Sequence, residues 1–203
     1  MSSHLKIDPQ HPAPDAITRA AQLLAEGGLL ILPTETVYGI ACDPQQPQAL
    51  QRLQAAKGRD ANKPIARLVA TPQQVKPLAL HWNNGIQALC QAHWPGPLTL
   101  VLETAHGWTG FRVPDHPVPI AIATAYGSAL ALTSANLSGQ PDPRTAQQTH
   151  DLPADLTLDS GPTADQAIPS TVIKIDRQTI ELLRAGALPF PALESLFHQG
   201  LST

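Results

Sequence analysis

Three cations gather around one tight turn: Lys57 and Arg59 flank Gly58, and Lys63 follows four residues after the arginine. Such a group makes an anion pocket, and phosphate recognition is its natural use, an ammonium serving as a point charge and a guanidinium as a planar fork. The same cations can instead solvate a helix end, where positive charge complements the C-terminal dipole. A second cluster, Thr133-Ser134-Ala135-Asn136-Leu137-Ser138-Gly139, follows an apolar run and ends in glycine. Its hydroxyls, amide and backbone N–H groups can hold phosphate or ribose, or close a turn on their own backbone. Arg112 lies within Gly110-Phe111-Arg112-Val113-Pro114-Asp115-His116-Pro117, inside a short apolar strand. An unpaired guanidinium is costly there, so Arg112 reads either as a receptor for a ligand carboxylate or as the partner of Asp115 or another local acid. His116 reads as structural. Ser170-Thr171-Val172 opens one late strand and Arg184 closes the next, so a hairpin could bring hydroxyls and guanidinium together.

These side chains need a scaffold, and the apolar spacing outlines one. Asp15 can cap a helix carrying Ile17, Ala20, Ala21 and Leu24, ended by Gly27-Gly28, and a buried strand over 29–32 follows. The loop Pro33-Thr34-Glu35-Thr36-Val37-Tyr38-Gly39 comes next, just where open sheets present ligand-binding loops. The spacing predicts helices over 47–57, 72–80, 83–93, 118–126, 145–149 and 191–197. Strands are expected over 65–70, 98–102, 110–113, 129–133, 171–175 and 180–183, giving about seven with the first. No repeat of solenoid or propeller type occurs.

At 203 residues the chain is the size of one domain, so residues 1–203 are expected to fold as a single unit whose motif-bearing part runs over about 15–186. Apolar residues make up 42% and charged residues 14%, which excludes a disordered chain. A net charge of −3 argues against a surface gripping nucleic acid throughout, though not against a local basic cleft. Cys42 and Cys90 show no metal-ligand spacing and read as buried free thiols, which fits a reducing cytoplasm. No export signal and no run of about eighteen apolar residues is present, so no membrane partner is expected. There is no GxxxxGK[ST], GxGxxG or GxSxG, which argues against P-loop, dinucleotide and hydrolase readings.

In their order along the chain, the PTET-type loop, Lys57-x-Arg59, RVPDHP, Ser134-x-Asn136 and Ser170-Thr171-Val172 resemble the YrdC/TsaC family of threonylcarbamoyl-AMP synthases, in its short single-domain bacterial form. The resemblance implies an α/β (α+β) fold, a twisted mixed parallel/antiparallel sheet with helices packed on it and a basic cleft. It implies Lys57, Arg59, Lys63, Ser134, Asn136 and Arg184 around ATP, with Lys57 and Arg59 catalytic, and Thr34, Arg112 and Ser170 facing L-threonine. No protein metal ligand is implied; Mg²⁺ would accompany the ATP. Two positions depart from the longer two-domain relatives: Leu68 stands where they carry histidine and Trp108 where they carry threonine, with Thr109 a substitute for the latter.

The activity so implied joins L-threonine, bicarbonate and ATP into threonylcarbamoyl-AMP with release of pyrophosphate, for modification of adenosine 37 in tRNAs reading codons that begin with A. Its implied partners are a downstream threonylcarbamoyl transferase complex and, as a candidate contact, tRNA. Two other readings stay open: an RNA-binding ribosome-maturation accessory protein, against which the 4% aromatic content counts, and a carbamoyl-transfer module, disfavoured by the absence of zinc-finger cysteines.

Overall fold

The computed structural model describes residues 3–58, 65–164 and 168–202. Among these, ten strands form one sheet: β1 (Ser3–Lys6), β2 (Leu30–Leu32), β3 (Gly39–Cys42), β4 (Ala66–Leu68), β5 (Leu98–Thr104), β6 (Gly107–Arg112), β7 (Leu130–Ser134), β8 (Leu156–Asp159), β9 (Thr171–Asp176) and β10 (Thr179–Arg184). Their spatial order is β1-β8-β2-β3-β7-β4-β6-β5-β9-β10. Pairs β1/β8, β2/β8, β4/β6 and β5/β9 are parallel and the others antiparallel, so the expected mixed sheet is present. The strands beyond the expected set are β1, β3 and β8. Strand β3 is Gly-Ile-Ala-Cys, buried on both faces, and such a strand carries no alternation to read.

Five helices pack on the sheet: α1 (Pro14–Ala25), α2 (Pro47–Ala56), α3 (Asn84–His93), α4 (Pro117–Tyr126) and α5 (Phe190–Leu201). Asp15 is not the cap of α1; Ala13 is, with Pro14 in the first turn and Asp15 behind it as an acid favoured by the helix dipole. The helix expected over 72–80 is a single 3-10 turn, Pro72–Gln74, inside a capping box of Thr71 and Gln74. Pro77 has no N–H to continue it, and the Leu80 N–H instead donates to Glu103 O at 2.8 Å. The segment expected over 145–149 is likewise a 3-10 turn, Ala146–Thr149.

Strand alternation divides the core. One face of the sheet carries Leu30, Leu32, Leu68, Leu130, Leu156 and Leu158, packed against Ile17, Ala20 and Leu24 of α1 and Val118 and Ile122 of α4. Leu24 is fully buried, and truncating it to alanine would cost about 2–5 kcal/mol. The opposite face is apolar along its length: Ile31, Ile40 and Ala131 lie with Leu53 of α2, and Leu98, Leu100, Phe111 and Ile173 lie with Ile86 of α3 and Phe197 of α5. Both cysteines are buried and free, as expected.

Candidate functional site

On the first face, beyond α1 and α4, small, polar and aliphatic side chains together floor a cleft of about 790 Å³. The register explains which residues meet there. Gly39 pairs with Ser134, Ala66 with Leu132, Leu68 with Arg112, and Thr99 with Val172, so the period-2 alternation sends Trp108, Gly110, Arg112, Val101 and Lys174 to the same side. The loops at 34–37, 134–142 and 169–170 supply the walls. Thr34, Lys57, Arg112, Ser134, Asn136, Ser170 and Arg184 all line this one cleft, although they span most of the sequence. Arg59 and Lys63 lie outside the described residues.

Lys57 is the C-cap of α2, and Gly58 follows with φ of +56°, the left-handed geometry that turns the chain out of the helix. The lysine is only 3% exposed. Its ammonium donates to Ser134 O at 2.6 Å, Asn136 Oδ1 at 2.8 Å and Ser134 Oγ at 3.4 Å. Ser134 Oγ in turn donates to Asn136 Oδ1 at 2.6 Å. The two cation and hydroxyl clusters are therefore one structure, with the lysine at its centre.

Arg112 is held by three acceptors: Nε donates to Gly96 O at 3.2 Å, Nη1 to Thr36 Oγ1 at 3.1 Å and Nη2 to Glu35 Oε1 at 2.5 Å. Its local acid is thus Glu35, not Asp115. One proton on each terminal nitrogen remains for a further acceptor. His116 accepts from the Val118 N–H through Nδ1 at 3.2 Å, capping α4; burial depresses its basicity, against the pull of Glu35 and Asp115. Its role is structural, as expected.

Thr34 is buried, and its hydroxyl accepts from the N–H groups of Thr36 and Val37 and donates to Val37 O at 2.7 Å. It shapes the loop that carries Glu35 and Thr36. The late hairpin does close: Arg184 Nη2 donates to Ser170 O at 2.9 Å and Ser170 Oγ at 3.0 Å, and Thr99 Oγ1 lies 2.8 Å from Ser170 Oγ. Burial, and then the charge of Arg112, lower the basicity of Arg184, while Asp142 opposes both.

Leu68 lies in the buried cluster under α4. Thr109 does not take the place left by Trp108: it projects from the opposite side of β6, and its hydroxyl donates to Gly107 O at 3.3 Å, because neighbours on a strand face opposite ways. Within the PTET loop only Thr34 was assigned a role, and the structure adds Glu35 and Thr36 there; Thr99, Asp142 and Lys174 line the cleft outside the motifs. Period-2 spacing from Val172 would have placed Lys174 on the cleft side.

The chain belongs to the Sua5/YciO/YrdC family: the family model, described as telomere recombination, matches residues 22–186. A Mycobacterium tuberculosis (strain ATCC 25618 / H37Rv) relative is 36% identical over 183 residues, covering 84% of this chain and 83% of its own length. An Escherichia coli O1:K1 / APEC relative named threonylcarbamoyl-AMP synthase is 35% identical over 185 residues, covering 85% of this chain and 96% of its own length. The solved structure of Pyrococcus abyssi Sua5 complexed with L-threonine superposes with a TM-score of 0.87 at 29% identity, covering 97% of this chain. This chain spans 60% of that longer protein. Among the described residues, no helix is long and apolar enough to cross a membrane.

Proposed function

We propose that this chain is an L-threonylcarbamoyladenylate synthase, converting L-threonine, bicarbonate and ATP into threonylcarbamoyl-AMP and pyrophosphate for the modification of adenosine 37 of tRNAs reading codons that begin with A. The observation that carries this reading is that one cleft joins a phosphate-type set, Lys57 with Ser134 and Asn136, to a carboxylate-type fork, Arg112. Relatives that match most of the chain carry the synthase name, so the RNA-binding alternative is not favoured.

The threonine amine combines with bicarbonate to give a carbamate and water; a carbamate oxygen then attacks the ATP α-phosphorus, and the bond to the bridging oxygen breaks as pyrophosphate leaves. Negative charge grows on the α-phosphoryl oxygens and the leaving group. Lys57, Ser134 and Arg184, with Arg59 and Lys63, stabilise it electrostatically, and no covalent enzyme intermediate is needed. Arg112 takes the threonine carboxylate with its two remaining protons. Ser170 meets a polar group of the amino acid, and Thr34 holds the loop that walls its pocket.

Mg²⁺ supplies charge neutralisation to a polyphosphate and is typically held by substrate phosphates plus one or two carboxylates; Asp142 is the acid in the cleft lining that fits this. The product is handed to a threonylcarbamoyl transferase in the cytoplasm, and tRNA is its final acceptor.

The test is incubation with ATP, Mg²⁺, bicarbonate and L-threonine, measuring pyrophosphate release and threonylcarbamoyl-AMP by mass spectrometry. Product that requires threonine and bicarbonate and is lost in Arg112→Ala supports the reading; folded protein that binds ATP and yields no product overturns it.

A further inference from the structure

Among the cleft cations, Lys174 stands apart. It projects from β9 into the cleft, half-buried, with its ammonium 4.0 Å from the centroid of the Trp108 ring. Lys57, Arg112 and Arg184 are each tied down by protein oxygens. Among the described residues, Lys174 makes no ion pair, including with Glu181, its cross-strand neighbour in β10. Trp108 is 37% exposed and is the aromatic side chain among the described residues that line the cleft.

We infer that Lys174 is a polyphosphate-binding residue and that Trp108 is its positioning residue, the pair receiving the β- and γ-phosphates that depart as pyrophosphate. A cation on an aromatic face at a partly exposed site is held weakly. A charge-assisted contact to phosphate is stronger than that, so the ammonium can leave the ring for an anion while the ring limits where it waits. Position fits as well. Gly110 and Leu132 flank Ala66 of β4 from either side, Trp108 lies two residues before Gly110, and Ser134 lies two residues after Leu132. Trp108 and Ser134 thus share one end of the cleft floor, two strand spacings or roughly 10 Å apart. Lys174 faces the Lys57–Ser134–Asn136 set across that end, whereas Arg112 lies four residues away along β6, roughly 13 Å, where the amino acid is placed. The chemistry matches the ligand: a lysine suits phosphate as a point charge, and the carboxylate is already met by a guanidinium fork.

This inference rests on the synthase reading, and the experiment separates the two. Inorganic pyrophosphate and ATP are titrated calorimetrically against wild type, Lys174→Met, Lys174→Arg, Trp108→Leu and the Lys174→Met/Trp108→Leu double variant. Lys174→Met is expected to weaken pyrophosphate about tenfold, with Lys174→Arg staying within about threefold of wild type. Trp108→Leu is expected to weaken it by a smaller factor, and the double variant to bind no worse than Lys174→Met, because the ring acts only through the lysine. Pyrophosphate should also change the tryptophan emission of wild type and not of Trp108→Phe, as the cation leaves the indole. Wild-type affinity in Lys174→Met overturns the inference and leaves the synthase reading standing; wild type that binds neither ATP nor pyrophosphate overturns both.

Discussion

The ammonium of Lys57 lies 2.8 Å from Asn136 Oδ1, tying the end of α2 to the loop after β7, seventy-nine residues away in sequence. The contact is partly buried and is shared with Ser134. Lys57→Met preserves the stem and removes the donor, leaving Ser134 O and Asn136 Oδ1 short of a partner. The expected cost is about 1–3 kcal/mol, read as a lower urea midpoint. Pyrophosphate release should fall by about a hundredfold or more, because both the charge and the Ser134–Asn136 geometry are lost.

Glu35 is the residue that aims Arg112. The pair is mostly buried, with side chains 12% and 20% exposed, and Thr36 holds the second terminal nitrogen. Glu35→Ala frees the fork and leaves a buried guanidinium without its counter-charge. KM for L-threonine should rise about tenfold with KM for ATP changed less than about twofold, since the effect acts through positioning of the carboxylate receptor. Equal increases in both constants would place Glu35 in general support of the fold instead.

Much of this was legible in the sequence because the motifs lie at strand ends, where apolar runs, prolines and glycines mark the boundaries. The strand bearing Arg112, the strand that runs up to Ser134, the strand that starts just after Ser170 and the helix ending at Lys57 follow from spacing alone. The pairing of Arg112 with Glu35 did not, because it joins residues seventy-seven apart and depends on β7 and β4 standing between β3 and β6, a strand order that no local pattern encodes. The Trp108–Lys174 contact was hidden for the same reason: β5 stands between their strands. The 72–80 segment misled because Val75, Ala79 and Leu80 imitate a helical face while Pro77 forbids one. Lys57 and Asn136 are also each part of a local cluster with a plausible self-contained reading, and only the tertiary fold shows that the two clusters are one.

The thiols provide a pH test of the core. Burial pushes Cys42 up to about 11 and Cys90 up to about 12, above the usual thiol range. A raised thiol pKa means that the unfolded chain loses its proton first, so the associated stability is fully present below about pH 9, is lost progressively above it and is gone for Cys42 by about pH 11. The urea midpoint should be flat between pH 7 and 8 and fall steeply from about pH 9 upward, less steeply in Cys42→Ala. Consistently, native protein at pH 8 should react with a thiol reagent far more slowly than urea-unfolded protein.

Gly186 controls the approach of the last strand to Ser170. A Cβ at this position would collide with Pro169 O and Thr171 N, so the chain can run against residues 169–171 only with no side chain there. That close approach lets Ala187 N–H donate to Pro169 O at 3.0 Å, and it keeps Arg184 within reach of the Ser170 oxygens. Gly186→Ala must push the two segments apart and break the Arg184–Ser170 contacts on the cleft wall. The expected result is a stability loss of about 1–3 kcal/mol, as for other overpacked sites, together with at least about a tenfold drop in kcat/KM for both ATP and L-threonine, because Arg184 and Ser170 move together. Steady-state kinetics below the variant's melting temperature check this directly: unchanged constants in a folded Gly186→Ala protein would show that Arg184 and Ser170 do not need each other to form the site.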